Sequence, residues 1–238
     1  MAVRVGTAGW SIPRSVADRV VGEGSHLQRY AQRLDAAEIN TSFYRSHRAA
    51  TWARWADSVP EEFRFAVKLP KAITHQARLV DCDDLLSAFA GEVTGLGGKR
   101  GPVLVQLPPS FAFPGDVATR FFDSFERLVG GAMAIEPRHA SWYAPEVDAM
   151  LAERRIARVL ADPPVPVAAA EPGGWRGLTY IRLHGAPRVY WSSYDAAQLD
   201  ALAARIAAID GEVWTIFDNT ASGAALGNAL DLQARLGG

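Results

Sequence analysis

The chain has 238 residues, 49% of them hydrophobic, and its 25 basic and 26 acidic residues give a net charge of -1. This balance excludes a strong overall basic field for non-specific binding to nucleic acids or membranes, but it does not exclude a local basic patch. The single cysteine, Cys82, excludes an internal disulfide and a multi-cysteine zinc site.

The chain has no segment that we expect to enter a membrane. Its first residues lack the long apolar run of a signal peptide, and no later stretch approaches the roughly 20 apolar residues of a membrane span. We therefore expect a cytoplasmic protein without a membrane partner, folded as one domain over residues 1–238. The sequence does not specify its oligomeric state.

Eight short apolar runs, rich in valine and isoleucine, alternate with longer amphipathic segments. As β-strands these runs cover 3–9, 38–43, 63–69, 102–107, 133–138, 157–162, 179–185 and 213–219. Because each intervening helix would cross over between parallel strands, and eight such strands close a barrel, the order predicts an α/β fold, a (β/α)8 TIM-like barrel. An open doubly wound sheet is the alternative, but it usually has a glycine-rich phosphate loop where this chain reads GTAGWS.

Most of the segments between the strands have the spacing of amphipathic helices. Helix caps are predicted at Ser25, at Asp116 and at Asp81 and Asp83, with Asp195 near the start of a further helix and Pro145 in the first turn of another. Segment 163–178 is different, because it is rich in proline and has no helical stripe. We therefore predict an irregular crossover after strand six.

Polar residues fall near the end of nearly every predicted strand. In chain order they are Glu38, Asn40, Lys68, Gln106, Glu136, Arg138, Asp162, Arg182, His184, Asp218 and Asn219. The helix-facing side of a barrel strand is apolar, so these side chains should point into the lumen, where burial requires partners. Active sites of this fold lie at the C-terminal ends of the strands, so the set predicts a pocket there.

Roles within this pocket follow from residue chemistry. We assign catalytic roles to Glu136, His184, Lys68 and His139. We assign substrate-binding roles to Asn40, Tyr44, His75, Gln106, Arg138, Trp142, Arg182, Asp218 and Asn219. Glu136 would be the general acid or base, and Lys68 would hold an anion or act as an amine nucleophile. Alternatively, Glu136 and Arg138 form only an ion pair that closes the barrel mouth.

The pocket predicts an enzyme that acts on a small anionic or polyhydroxylated substrate, such as a sugar phosphate, by acid–base chemistry. A nucleic-acid-binding or nucleic-acid-processing barrel is one alternative, because aromatic and basic residues share one rim. A non-catalytic binding module is another. No cofactor is predicted, although Glu136, Asp162, His184 and Asp218 could supply ligands for a divalent metal.

Seven segments carry a resemblance to a known family. In chain order they read GTAGWS, EINTSFYR, FRFAVKLPKAITH, VLVQLPPSF, IEPRHASW, YIRLHG and FDNTASGAALGNA. Together they resemble the signature segments of domain of unknown function 72 (DUF72), also called YecE-like, from about residue 5 to residue 230. The resemblance implies a TIM-like barrel and no particular reaction. One family asparagine reads Asp218 here, which adds a negative charge at the barrel mouth.

Overall fold

Parallel strands form the wall of a nearly closed barrel. The computed structural model describes residues 2–237. Its strands are β1 (Val3–Ala8), β2 (Ala36–Ile39), β3 (Arg64–Lys68), β4 (Arg100–Gln106), β5 (Met133–Glu136), β6 (Ile156–Arg158), β7 (Leu160–Asp162), β8 (Gly173–Gly174), β9 (Leu178–Leu183) and β10 (Glu212–Phe217). They follow the order β7-β9-β10-β1-β2-β3-β4-β5-β6-β8 in one ten-stranded sheet. The predicted TIM-like barrel is confirmed.

The sixth predicted strand is divided between two neighbours. Its first half, β6, pairs with β5, and its second half, β7, pairs with β9. Val159 lies between the two halves, and its amide donates to Ile135 O at 2.9 Å. One continuous apolar run therefore contacts both free edges of the sheet, which brings the barrel close to closure.

Seven α-helices cover the outside of the described barrel. They are α1 (His26–Tyr30), α2 (Ala49–Asp57), α3 (Asp83–Val93), α4 (Asp116–Leu128), α5 (Pro145–Glu153), α6 (Ala196–Ala207) and α7 (Ala224–Leu236). The predicted caps Ser25 and Asp195 are confirmed, each in a capping box, and Pro145 opens α5 as predicted. Asp116 is wrong as a cap, because Gly115 holds that position with a positive φ of 57°. Asp81 and Asp83 are wrong as caps as well, because Cys82 holds that position before α3.

The crossover between β7 and β9 is irregular, as predicted. It contains a short 3-10 helix, Val167–Ala170, and the two-residue strand β8, which pairs antiparallel with β6. Asp148 Oδ1 accepts hydrogen bonds from Arg158 Nε at 2.9 Å and from Gly174 N at 2.8 Å, which ties this segment to α5. Proline lacks an amide donor, so its repetition here disfavours a helix.

Strand alternation divides the lumen into an apolar floor and a polar mouth. Ten buried residues form the floor, among them Ala36, Ala134, Tyr180, Trp214 and Ile216. Successive strand residues point to opposite faces, so the residue two positions further along each strand also faces the lumen. The residues two positions after Ala36, Ala134 and Tyr180 are Glu38, Glu136 and Arg182. The polar strand-end residues therefore lie together above the apolar floor, at the C-terminal end of the barrel.

Gly6 is required where β1 meets β2. A Cβ on Gly6 would collide with the backbone carbonyl of Ala36, its partner in the sheet. We expect Gly6→Ala to lower the free energy of unfolding by about 1–3 kcal/mol, because the strands must shift apart. The matched control is Gly91→Ala in α3, where no atom lies within 4 Å of the added Cβ. Urea denaturation should show Gly91→Ala unchanged or stabilised by up to about 1 kcal/mol, and equal effects of the two changes would contradict this explanation.

Candidate active site

A buried group of charged residues, here called the ion cluster, closes the top of the lumen. Its members are Glu38, Glu136, Arg182, His184 and Asp218, each at most 7% exposed. They come from β2, β5 and β9 and from the residues directly after β9 and β10. The structure therefore brings five of the predicted strand-end residues into one contact network.

Arg182 is the centre of the ion cluster. Its Nε and Nη2 atoms donate to both oxygens of Glu38, at 3.1 and 2.8 Å. Its Nη1 donates to Glu136 at 2.8 Å and its Nη2 to Asp218 at 2.9 Å. Burial opposes the charge of Arg182, but the three carboxylates outweigh burial and raise its pKa well above the usual value. One guanidinium thus binds three buried carboxylates.

His184 lies between two of these carboxylates. Its Nδ1 is 3.1 Å from Asp218 Oδ2, and its Nε2 is 3.2 Å from Glu136 Oε1. Burial lowers the pKa of His184, but the hydrogen bonds to Asp218 and Glu136 dominate, so the net direction is upward. A protonated ring donates to both carboxylates at once. Because both nitrogens are engaged, His184 exchanges protons only within the ion cluster in this arrangement.

Glu136 is held as an ionised carboxylate. Besides Arg182 and His184, it accepts a hydrogen bond from Arg138 Nη2 at 3.0 Å. Burial alone would raise its pKa, but Arg182, His184 and Arg138 together lower the pKa well below the usual value. A carboxylate stabilised in this way is a weak proton acceptor. The surroundings of Glu136 therefore favour a supporting role over the predicted role of general acid or base.

Two cationic side chains, Lys68 and Arg138, lie at the opening of the barrel and are here called the rim cations, with His75 beside them. Lys68 ends β3 and is only 7% exposed, with its Nζ 4.3 Å above the centre of the Phe43 ring. No carboxylate oxygen of residues 2–237 lies within 4.0 Å of Lys68 Nζ, and the nitrogen donates no hydrogen bond to them. Burial and the nearby charge of Arg182 lower the pKa of Lys68, against the opposing effect of the ion-cluster carboxylates.

His75 and Arg138 border the same opening. The His75 ring packs edge-on against Phe43 at 5.1 Å, and its Nδ1 is 2.9 Å from Thr74 Oγ1. Partial burial lowers the pKa of His75, and the charges of Lys68 and Arg138 lower it further. The Arg138 side chain is 23% exposed. The two rim cations are therefore close enough to His75 to disfavour its charged form.

Two side-chain amides near the mouth have an unpaired oxygen. Asn40 Oδ1 is buried without a hydrogen-bond partner, and so is Asn219 Oδ1. The Nδ2 atom of Asn219 donates to Ser192 O and to Asn228 Oδ1, both at 2.9 Å, which anchors the loop after β9. Gln106 is 8% exposed and sits beside Glu136 in the sheet. Asn40 and Gln106 thus place polar groups at the ends of β2 and β4, whereas Asn219 holds a loop.

Three predicted site residues lie outside this arrangement. Trp142 is fully buried, and its Nε1 donates to Phe111 O at 2.9 Å, so its ring is part of the core. His139 caps the short helix Ala140–Tyr143 by accepting from Ser141 N. Tyr44 is 70% exposed and contacts Phe43. Trp142 bonds to the loop after β4 and His139 to its own loop. The strand ends at Glu136, so strand alternation no longer directs these two side chains inward.

Two further residues of the mouth were not among the predicted site residues. Tyr180 donates its hydroxyl to Glu38 Oε2 at 2.8 Å from within the floor, and its position two before Arg182 is the signal that could have found it. Tyr190 has a positive φ of 68° and packs edge-on against His184 at 5.6 Å. Its backbone conformation depends on the folded loop and leaves no mark in the sequence.

The described residues show neither a metal cluster nor a membrane helix. Within 2–237, no group of three or more His, Cys, Asp or Glu side chains is arranged to hold a metal ion. The carboxylates of the mouth are instead bound by Arg182. No described helix has both the length and the apolar character to cross a membrane.

The fold and the mouth together define a TIM-like α/β barrel with a polar, ion-paired C-terminal end. The chain belongs to the family described as "Protein of unknown function DUF72", whose model matches residues 4–238. The resemblance inferred from the seven segments is thereby confirmed.

Two curated relatives support the assignment. UPF0759 protein YecE of Escherichia coli K12 is 30% identical over 177 residues, covering 71% of this chain and 62% of YecE. UPF0759 protein YunF of Bacillus subtilis 168 is 25% identical over 214 residues, covering 82% of this chain and 74% of YunF. The match therefore spans a little under two thirds of the length of YecE.

Solved structures share the fold over almost the whole chain. A DUF72 family protein from Enterococcus faecalis V583 has a TM-score of 0.83 at 25% identity, covering 99% of this chain and 95% of its own. A DUF72 family protein from Thermotoga maritima MSB8 has a TM-score of 0.81 at 22% identity, covering 100% of both chains. A sugar phosphate isomerase/epimerase from Parabacteroides distasonis ATCC 8503 has a TM-score of 0.57 at 11% identity, covering 98% and 95%, which shows a common fold alone.

Proposed function

We propose that this protein is an enzyme that binds a small anionic or polyhydroxylated substrate, of the sugar phosphate type, at the barrel mouth and transfers protons on it. The observation that carries the proposal is the ammonium group of Lys68, a residue only 7% exposed whose nitrogen has no carboxylate within 4.0 Å among the described residues. The shared barrel fold of the Parabacteroides distasonis sugar phosphate isomerase/epimerase is consistent with it.

The charges at the mouth favour an anion. Three carboxylates of the ion cluster face two guanidinium groups, Arg182 and Arg138, and a protonated His184. These cations already balance the carboxylates, so Lys68 adds a positive charge that nothing nearby matches. Burying an unmatched charge is unfavourable, and a bound phosphate or carboxylate would remove that penalty through charge-assisted hydrogen bonds.

Proton transfer is best matched to Lys68 and His75. A group transfers protons efficiently when its pKa is near the working pH. The pKa of Lys68 is lowered toward that range, whereas Glu136 is held far below it. In His75 the Nδ1 atom faces Thr74, which leaves Nε2 for a ligand.

The unpaired amide oxygen of Asn40 supports a hydroxylated ligand. A buried acceptor without a donor is unfavourable by about 1–3 kcal/mol, and a substrate hydroxyl that donates to Asn40 Oδ1 would satisfy it. Gln106 lies two strands away from Asn40, beyond Lys68 on β3. Together they would orient hydroxyl groups on a substrate whose anionic group contacts the rim cations.

Thermal unfolding with a panel of sugar phosphates tests the proposal. We expect at least one compound, at 100 times its Kd, to raise Tm by about 5 °C or more, and the same compound to be turned over. Lys68→Met and Arg138→Met should each weaken its binding at least about tenfold, since each removes a charge-assisted contact. Arg127→Met, which breaks an exposed pair with Asp83, is the control.

Several outcomes would count against this function. A panel that produces no shift with the wild type would contradict a sugar phosphate ligand. Equal shifts in wild type and both rim variants would place the ligand elsewhere. Salt-dependent binding of an oligonucleotide, lost in the same variants, would instead favour the nucleic-acid-binding alternative. Binding without turnover of any compound would favour the non-catalytic module.

A further inference from the structure

Lys68 differs in its surroundings from the other lysines of the chain. The sequence contains three lysines and 22 arginines. Lys99 Nζ donates to the carbonyl oxygens of Ala56 and Val59 at 2.9 and 2.8 Å, and Lys71 is exposed to solvent. Lys68 alone is buried with its nitrogen unbonded to any described residue. Arginine is the better residue for holding an anion, so a primary amine at this place in an arginine-rich chain suggests a chemical use.

The backbone of Lys68 is firmly positioned. The Ser42 hydroxyl lies 2.7 Å from Lys68 O and 2.9 Å from Ile39 O, which ties the end of β3 to β2. The amide of the next residue, Leu69, donates to Leu104 O of β4 at 2.9 Å. The amine therefore projects from a strand end fixed on both sides, as a reacting group requires.

The mouth around Lys68 suits an amine that must be uncharged to react. One side of Lys68 Nζ is covered by the Phe43 ring at 4.3 Å. Burial and the guanidinium of Arg182 both disfavour the ammonium form and lower the pKa of Lys68. Active-site lysines that form covalent adducts are activated by desolvation or by a neighbouring cation. In Lys68 these two effects outweigh the carboxylates of the ion cluster, which favour the ammonium form, so the net direction of the pKa is downward.

We infer that Lys68 forms a Schiff base with an aldehyde or ketone that carries a phosphate or carboxylate group. This inference rests on the proposed function, because it names the carbonyl class of the substrate and a covalent use of the same pocket. It goes further by assigning a covalent intermediate to one atom, Lys68 Nζ.

The bond changes of this step balance without a further reactant. The lone pair of the neutral amine attacks the carbonyl carbon, and a C–N bond forms. The carbonyl oxygen then leaves as water with the two hydrogens of the amine, so the C–O bonds are replaced by C=N. The nitrogen then takes back the proton that the ammonium group released before the attack, which gives the iminium. The iminium withdraws electrons from the neighbouring carbon.

His75 and Arg138 provide the accompanying contacts. The His75 ring contacts the same Phe43 ring that lies beside Lys68 Nζ, and its Nε2 atom is available to pass a proton to the departing oxygen. Arg138 is partly exposed and has donors beyond the one that binds Glu136, so it would hold the anionic group. The ligand would thus be a short carbonyl compound with its anion a few atoms from the reacting carbon.

Reductive trapping tests the inference. The full chain is incubated with glyceraldehyde 3-phosphate or dihydroxyacetone phosphate and sodium cyanoborohydride, and the protein is then mapped by mass spectrometry. We expect a single adduct on Lys68, with the mass of the probe less one oxygen atom. It should form at least about tenfold faster than any adduct on Lys71, which serves as the internal control for exposed amines.

Two variants make the result decisive. Lys68→Arg keeps the positive charge but has no primary amine that can form an imine, so it should bind the phosphate group yet give no adduct in the pocket. Lys71→Arg should be trapped at Lys68 like the wild type. Wild-type protein that shows a thermal shift with the probe but no adduct on Lys68 would overturn the Schiff base and leave the proposed function standing. Absence of both the shift and the adduct, over the whole carbonyl and sugar phosphate panels, would overturn both.

Discussion

Replacing Arg182 with methionine is expected to lower the free energy of unfolding by about 3–5 kcal/mol, the typical effect of breaking a buried ion pair. The guanidinium is fully buried and bonds to Glu38, Glu136 and Asp218. Without it, three carboxylates remain buried, and only His184 and Arg138 among the described residues still form ion pairs with them within 4.0 Å. Urea denaturation monitored by tryptophan fluorescence measures the loss.

A surface ion pair gives the control for this change. Arg127 is 59% exposed and pairs with Asp83 at 2.6 Å, and pairs of this kind contribute about 0–1 kcal/mol. Arg127→Met should therefore unfold within about 1 kcal/mol of the wild type. Equal unfolding midpoints for Arg182→Met and Arg127→Met would show that the buried ion pairs of Arg182 do not stabilise the protein more than an exposed pair does.

A second substitution separates the charge effect from the loss of packing. Glu38→Gln in the Arg182→Met background removes one of the uncompensated carboxylates, so it should restore part of the stability. In the wild-type background the same change should destabilise the protein, because it removes the bidentate partner of Arg182. The difference between the effects of Glu38→Gln in the two backgrounds is the coupling energy between Glu38 and Arg182. We expect the two effects to have opposite signs.

The barrel could be predicted because its determinants are local. Apolar runs and helical stripes identified the strands and helices, and the proline-rich segment 163–178 identified the irregular crossover. The division of the sixth strand at Val159 could not be seen in this way. It depends on β5 and β9 lying on opposite sides of one run, a pairing set by barrel closure between distant parts of the chain.

The composition of the mouth could be predicted, but its chemistry could not. Strand alternation correctly directed Glu38, Glu136, Arg182 and Asp218 to the same end of the lumen. Which carboxylate binds which cation depends on the stagger of the strands, since Arg182 reaches Glu38 across 144 positions of sequence. The sequence suggests Glu136 as acid or base from its residue type, whereas its three cationic neighbours make it a weak base.

The pocket combines a balanced ion cluster with an unbalanced rim. The charges of the ion cluster, together with that of Arg138, neutralise one another. The cluster therefore forms a rigid support beneath the rim cations. Lys68 and His75 have no such compensation, and both have a lowered pKa. This difference is the physical reason why we propose structural support for Glu136 and His184 and reactivity for Lys68.

The ion cluster should give the protein a stability maximum with a loss on each side. Burial opposes ionisation of Glu136 and Asp218, but Arg182 and His184 outweigh it and lower both pKa values below 4.5 and 3.8. A group with a lowered folded-state pKa stabilises the protein above its ordinary pKa, and this contribution is lost as the pH falls through the folded-state value. We therefore expect the free energy of unfolding to decrease steadily below about pH 4.5.

The alkaline side of the maximum should depend on His184. Its folded-state pKa is raised above 6.5, so its stabilising contribution is complete below that value and is lost as the pH rises through the folded-state pKa. Urea unfolding of the wild type should therefore show a decrease in stability above about pH 6.5. The variant His184→Gln should be less stable at pH 6 and should lack this decrease, whereas the exposed His26→Gln should keep the wild-type profile. A His184→Gln profile parallel to that of the wild type would mean that the imidazole is neutral in the folded protein. One carboxylate of the ion cluster would then be left to match the charge of Lys68, which contradicts the charge balance proposed here.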